Sequence, residues 1–151
     1  MSPSILLPLL LISFSVSSTI ARRRFTPPPF DEQDPKYGTP LVLELLDEGL
    51  LHRSEVEGGY PTVTCVSRKM NEEPTIEECS IYHYTHGPVG CFAAWDNEGG
   101  KLQQGCLRAQ DFSMQHQCHK KDCKRQKDLN NPHGMNFCCC FGDECNAVYY
   151  N

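Results

Sequence analysis

Ten cysteines fall between Cys65 and Cys145, and three of them, Cys138-Cys139-Cys140, are consecutive. The others are Cys65, Cys79, Cys91, Cys106, Cys118, Cys123 and Cys145. An even number at this density in a small domain points to a disulfide framework. Five bridges admit about 945 pairings, and spacing does not choose among them. The triplet adds a geometric demand. Successive strand residues point to opposite faces, so bridges must leave such a strand in both directions.

Disulfides need an oxidising compartment, and the N-terminus reads as the address for one. The apolar run Ile5 to Val16 is too short to span a bilayer and matches the apolar stretch of a signal peptide. Residues 1–21 are expected to be that peptide, cut after Ala21, with Ser18 as the alternative. The competing reading is an uncleaved anchor, because basic residues Arg22, Arg23 and Arg24 follow the run instead of preceding it. The expected location is secreted, or the extracellular side of the plasma membrane. No other stretch approaches 18 apolar residues, so no membrane span is expected in this chain. With 151 residues, dinucleotide-binding sheets and α/β-barrels do not fit. A net charge of −5 argues against a general grip on nucleic-acid phosphate.

The mature chain divides in two. Residues 22–61 lack cysteine, contain Pro27-Pro28-Pro29, Pro35 and Pro40, and are acidic; a mostly disordered extension is expected. Within it, Leu41 to Leu51 reads as an amphipathic helix of about three turns. It either lies on the domain or binds a partner. Gly58-Gly59 and Pro61 mark a boundary. Residues 62–148 read as a small all-β, disulfide-rich domain. The strand-like runs are Thr62 to Val66, Cys79 to Tyr84, Cys91 to Trp95, Lys101 to Leu107 and Asn136 to Phe141. A turn is expected over Asp96 to Gly100. The basic run Lys120 to Lys127 is either a heparin or partner patch or a solvated loop.

The ending Cys138-Cys139-Cys140-Phe141-Gly142-Asp143-Glu144-Cys145-Asn146 contains C-C-x-x-D-x-C-N, which resembles the close of the three-finger (Ly-6 and snake-toxin-like) superfamily. The extra leading cysteine, with Phe137 before it, resembles the extracellular domain of activin and bone-morphogenetic-protein type II receptors. Cys91-Phe92-Ala93-Ala94-Trp95 is similar to that family's C-aromatic-x-x-W strand, and Gln104-Gly105-Cys106 to its Q-G-C strand. Cys118 and Cys123 fit its third finger. The resemblance covers residues 62–148.

The resemblance implies a three-finger fold with five bridges: Cys65 to Cys91, Cys79 to Cys106, Cys118 to Cys139, Cys123 to Cys138, and Cys140 to Cys145. It implies structural roles for Trp95 in the core and for Asn146, which hydrogen-bonds backbone across the knot. It also implies a partner, a dimeric growth factor of the activin and bone-morphogenetic-protein class, with a type I receptor joining in a ternary complex. Its ligand-binding positions fall on Phe92, Leu107 and Phe137. Two departures stand out: the family usually has tryptophan where Leu107 stands and lysine where Gln103 stands. The receptors continue into a membrane helix and a serine/threonine kinase. This sequence carries no kinase motif, so it reads either as a soluble ligand trap or as the extracellular piece of a longer receptor.

Three rival readings are weighed. An enzyme would draw on the six histidines with Asp111, Asp122 and Asp143, but no nucleophile and base stand together. No catalysis and no cofactor are expected. A zinc protein would use His116, Cys118, His119 and Cys123, yet it leaves the triplet unexplained. A secreted Ly-6-like or toxin-like protein acting on a channel or other cell-surface receptor shares the fold, but usually lacks the triplet and the C-aromatic-x-x-W strand.

Overall fold

The computed structural model describes residues 26–83, 87–96, 102–107, 117–126 and 135–150. The expected signal peptide, Asp111, His116 and most of the Asp96 to Gly100 turn lie outside them.

The β-branched run after Pro61 forms β2 (Pro61–Ser67), antiparallel to β3 (Thr75–Ser80), with Val63 opposite Cys79 and Cys65 opposite Glu77. A short β1 (His52–Arg53) joins the other edge of β2. The second sheet centres on β4 (Gly90–Asp96). It runs antiparallel to β5 (Gln103–Leu107) on one side and to β8 (Met135–Phe141) on the other. β6 (His119–Lys120) lies parallel to β8, and β7 (Cys123–Lys124) pairs with β9 (Tyr149–Tyr150). Reciprocal backbone bonds between Arg68 and Gln104, 3.0 and 2.9 Å, join the first sheet to the second. The described strands form a small all-β, disulfide-rich fold.

The expected strand over Cys79 to Tyr84 stops early. Ser80 ends β3, and Ile81–His83 is a 3₁₀ turn. The Ser80 hydroxyl accepts the Tyr82 N–H at 3.3 Å, a local bond that competes with the ladder.

All ten cysteines are bridged: Cys65–Cys91, Cys79–Cys106, Cys118–Cys139, Cys123–Cys138 and Cys140–Cys145. These are the pairs that the receptor resemblance implies. The triplet meets its geometric demand through β8. Cys138 and Cys140 stand opposite Ala93 and Cys91, on the face that β4 buries, while Cys139 stands opposite Phe92 on the other face. Beside them Gly90 passes under Phe141. A Cβ there would lie 2.9 Å from the Cys140 carbonyl oxygen and 3.1 Å from the Phe141 ring.

The extension departs most from expectation. Residues 26–61 are packed, not extended and mobile. Thr39 caps α1 (Pro40–Asp47), with Pro40 in the first turn, where its missing N–H costs nothing. The helix has two turns instead of three because Gly49, at φ +67°, ends it. Leu50 N–H donates to the Leu45 carbonyl at 2.8 Å and Gly49 N–H to that of Leu46 at 3.0 Å, a Schellman close. Val42 and Leu45 are fully buried, and Leu50 and Leu51 nearly so, in the same core as Val63, Ile81, Val89, Trp95 and Phe141. Tyr60 is ringed by Phe30, Tyr37 and Tyr82 at centroid distances of 5.5, 5.2 and 4.8 Å. Arg53 stacks on Phe30 and pairs with Glu32. Of the two readings of the Leu41 to Leu51 patch, the helix lying on the domain is what the structure shows.

Candidate ligand-binding groove

Strand parity decides which aromatics stay near the surface. Along β4, Cys91, Ala93 and Trp95 point into the core, so Phe92 points away from it and is half-buried. On β8, Phe137 is opposite Ala94 and Cys139 is opposite Phe92, which puts Phe137 diagonal to Phe92 on one face. The two rings stack at 6.0 Å between centroids and 18° between planes. Beneath them Cys91, Ala93, Cys138 and Cys140 have no exposed surface. The pair therefore stands on a floor fixed by disulfides.

The rings line an open groove of about 860 Å³. Gln103 to Leu107 of β5 forms one wall, and Ser67, Lys69 and Thr75 to Glu77 of the first hairpin form another. Gly105 stands opposite Phe92, and the absence of a side chain there leaves room over the ring. Leu107 lines the groove, but it is only 7% exposed and presents the least surface of the three expected contact residues. Gln103 is exposed on the rim. Ile76, 57% exposed, is a lining residue that sequence reasoning did not single out. It stands between Thr75 and Glu77, so no apolar pattern marks it.

The two expected structural residues are placed as follows. Trp95 is 3% exposed and packs on Tyr149 at 4.6 Å. Asn146 is fully buried. Its Oδ1 accepts from Val66 N–H at 3.0 Å, and its Nδ2 donates to the carbonyls of Val66 and Phe92 at 2.8 Å each. It thereby ties the first hairpin to the strand that carries the groove.

Other candidate residues have structural partners. Asp143 accepts from the Thr64 N–H and hydroxyl, both at 2.9 Å, and pairs with His52 at 2.8 Å. Lys120 reaches Glu44 of α1 at 2.6 Å and Glu48, the residue that caps its C-terminus, at 2.7 Å, and these bonds raise its pKa. Lys124 pairs with Asp122 at 3.3 Å. Two members of the basic run are thus engaged within the molecule. Cys118 and Cys123 are in disulfides and offer no thiolate to zinc. The Sγ atoms of Cys65, Cys79 and Cys106 lie within 4.8 Å of one another, but all three belong to two touching bridges.

No family model matches the chain, and no curated protein matches it. Fold and groove together define a class: a small, all-β, disulfide-braced protein with a concave, partly apolar face. Among the described residues no helix is long and apolar enough to cross a membrane. Five disulfides fit an oxidising compartment.

Proposed function

We propose that residues 62–148 form the extracellular ligand-binding domain of a type II receptor of the transforming growth factor-β superfamily, or of a soluble form that traps its ligand. The partner is a dimeric growth factor of the activin and bone-morphogenetic-protein class, with its remaining surface left for a type I receptor. The observation that carries this reading is the Phe92–Phe137 stack, two half-buried rings on a disulfide-fixed floor inside a groove. Rigid aromatic groups that lose little side-chain freedom when covered are the usual anchors of protein interfaces. The cysteine order and the C-aromatic-x-x-W strand supply the ligand class by resemblance.

The test uses the full chain, because α1 belongs to the core. Purified protein is offered a panel of activin and bone-morphogenetic-protein dimers in a surface-binding assay. At least one dimer should bind, and Phe92→Ala with Phe137→Ala should weaken it by about 30-fold or more, the effect of losing about 2 kcal/mol. Binding to a channel protein and to no dimer would favour the Ly-6-like reading instead. Leu107→Trp should strengthen binding of at least one dimer, by about tenfold, because an indole is larger than the 7% exposed leucine side chain and extends out of its packed position into the groove. No change for any dimer would reject a contact role for that position.

A further inference from the structure

The groove has a notch beside its phenylalanine pair. We propose that this notch, over Gly105, takes a lysine or arginine side chain of the partner, with its aliphatic stem against Phe92 and its charged head at the Glu77 carboxylate. The inference rests on the proposed growth-factor reading and adds to it a subsite and the chemistry of the group that enters it.

Two observations carry it. The first is space. Gly105 stands opposite Phe92 in the β4–β5 register, so a side chain there would share the face of the ring, and the glycine leaves that place empty. The atoms nearest to where its Cβ would stand are a Phe92 ring carbon at 3.6 Å, Glu77 Oε2 at 3.7 Å and the Ser67 hydroxyl oxygen at 3.9 Å. Ser67 is opposite Thr75 and Glu77 is opposite Cys65, so both belong to the face that the first hairpin turns toward the second sheet. The Arg68–Gln104 bonds hold that face against β5.

The second observation is chemistry. The notch has a ring carbon on one side and a carboxylate and a hydroxyl on the other. That combination suits a side chain with an apolar stem and a cationic head, which lays its methylenes on the ring while its charge meets the anion. An acidic side chain would meet like charge there, and a purely apolar one would strip water from the carboxylate without replacing it. Glu77 is half-buried, so its charge is screened less than that of Lys69, the other charged residue lining the groove, which is exposed.

The experiment compares four proteins against the dimer that wild type binds: wild type, Phe92→Ala with Phe137→Ala, Gly105→Ala, and Glu77→Gln. Gly105 has no positive φ, and its neighbours stand at ordinary contact distance from an added Cβ, so the fold accommodates alanine. Circular dichroism and thermal unfolding establish that each protein is folded. Gly105→Ala fills the notch and is expected to weaken binding by about tenfold or more with an unchanged unfolding midpoint. Glu77→Gln keeps the shape and removes the charge. It is expected to weaken binding by about tenfold at low salt, with a deficit that shrinks as salt is raised. If the double phenylalanine variant loses binding while both notch variants bind as wild type does, the subsite is wrong and the receptor reading stands. Loss with Gly105→Ala but not with Glu77→Gln overturns the basic occupant, and loss with Glu77→Gln alone overturns its placement over Gly105. If the double phenylalanine variant binds normally, or wild type binds no dimer, both the subsite and the receptor reading fall.

Discussion

Asn146 makes three hydrogen bonds to the backbone of two strands and has no exposed surface. Truncation would leave one N–H and two carbonyls buried without this partner, at about 1–3 kcal/mol for each group left unsatisfied. Asn146→Ala is therefore expected to destabilise the protein by about 3 kcal/mol or more, read as a lower urea midpoint at unchanged slope. Asp143 offers a pH-dependent counterpart. Burial pushes its carboxyl up, but the Thr64 N–H, the Thr64 hydroxyl and His52 together outweigh burial and hold it below the ordinary carboxylate value. A lowered folded-state pKa stabilises above the unfolded-state value, and the contribution is lost as pH falls through the folded-state value. Wild type should be more stable than Asp143→Ala at neutral pH, and the gap should close below about pH 4. A gap that persists at pH 2 would show that the carboxylate charge is not what matters there.

Among the elements, α1 and the groove strands differ in how far local sequence defines them. The Thr39 cap, Pro40 and the Gly49 stop are all local signals, and together they set a two-turn helix. Its attachment is tertiary. Leu45 is fully buried against the cysteine-rich core, so Leu45→Ala is expected to cost about 2–4 kcal/mol in denaturant unfolding. A cost near zero would mean that the helix is not docked in solution. The groove strands were legible from β-branched and aromatic runs, and parity then assigns Phe92 and Phe137 to one face. β3 was harder to read. Its expected run lay too late by several residues, because Thr75, Glu77 and Glu78 are polar around a single exposed Ile76, and because the Ser80 hydroxyl turns the chain where the apolar residues begin.

For the molecule as a whole, a thin apolar core is offset by cross-links. Each bridge contributes about 2–4 kcal/mol, against a typical net stability of about 5–15 kcal/mol. Full reduction by a phosphine at neutral pH is expected to abolish the near-UV circular dichroism of Trp95 and the cooperative thermal transition. A reduced protein that still melts cooperatively would place the stability in the apolar core instead. The extension contributes to that core too, through Val42, Leu45, Leu50 and Leu51, so residues 26–61 and the cysteine-rich part share one interior.

Taken by itself, the amino-acid order determined the oxidised all-β class, most of the strand positions and the local signals that start and stop α1. These follow from short-range chemistry: side-chain alternation, turn residues and the count of thiols. The pairing that the receptor resemblance supplied is the one the structure contains. Tertiary structure decided the rest. The Arg68–Gln104 contact brings the first hairpin against the sheet that carries the two phenylalanines, and packing buries Leu107 to 7% exposure. It also turns an acidic, proline-rich extension into part of the core. Each of these depends on which distant segments meet, and that is settled by the closure of the disulfide knot and the fit of side chains across it.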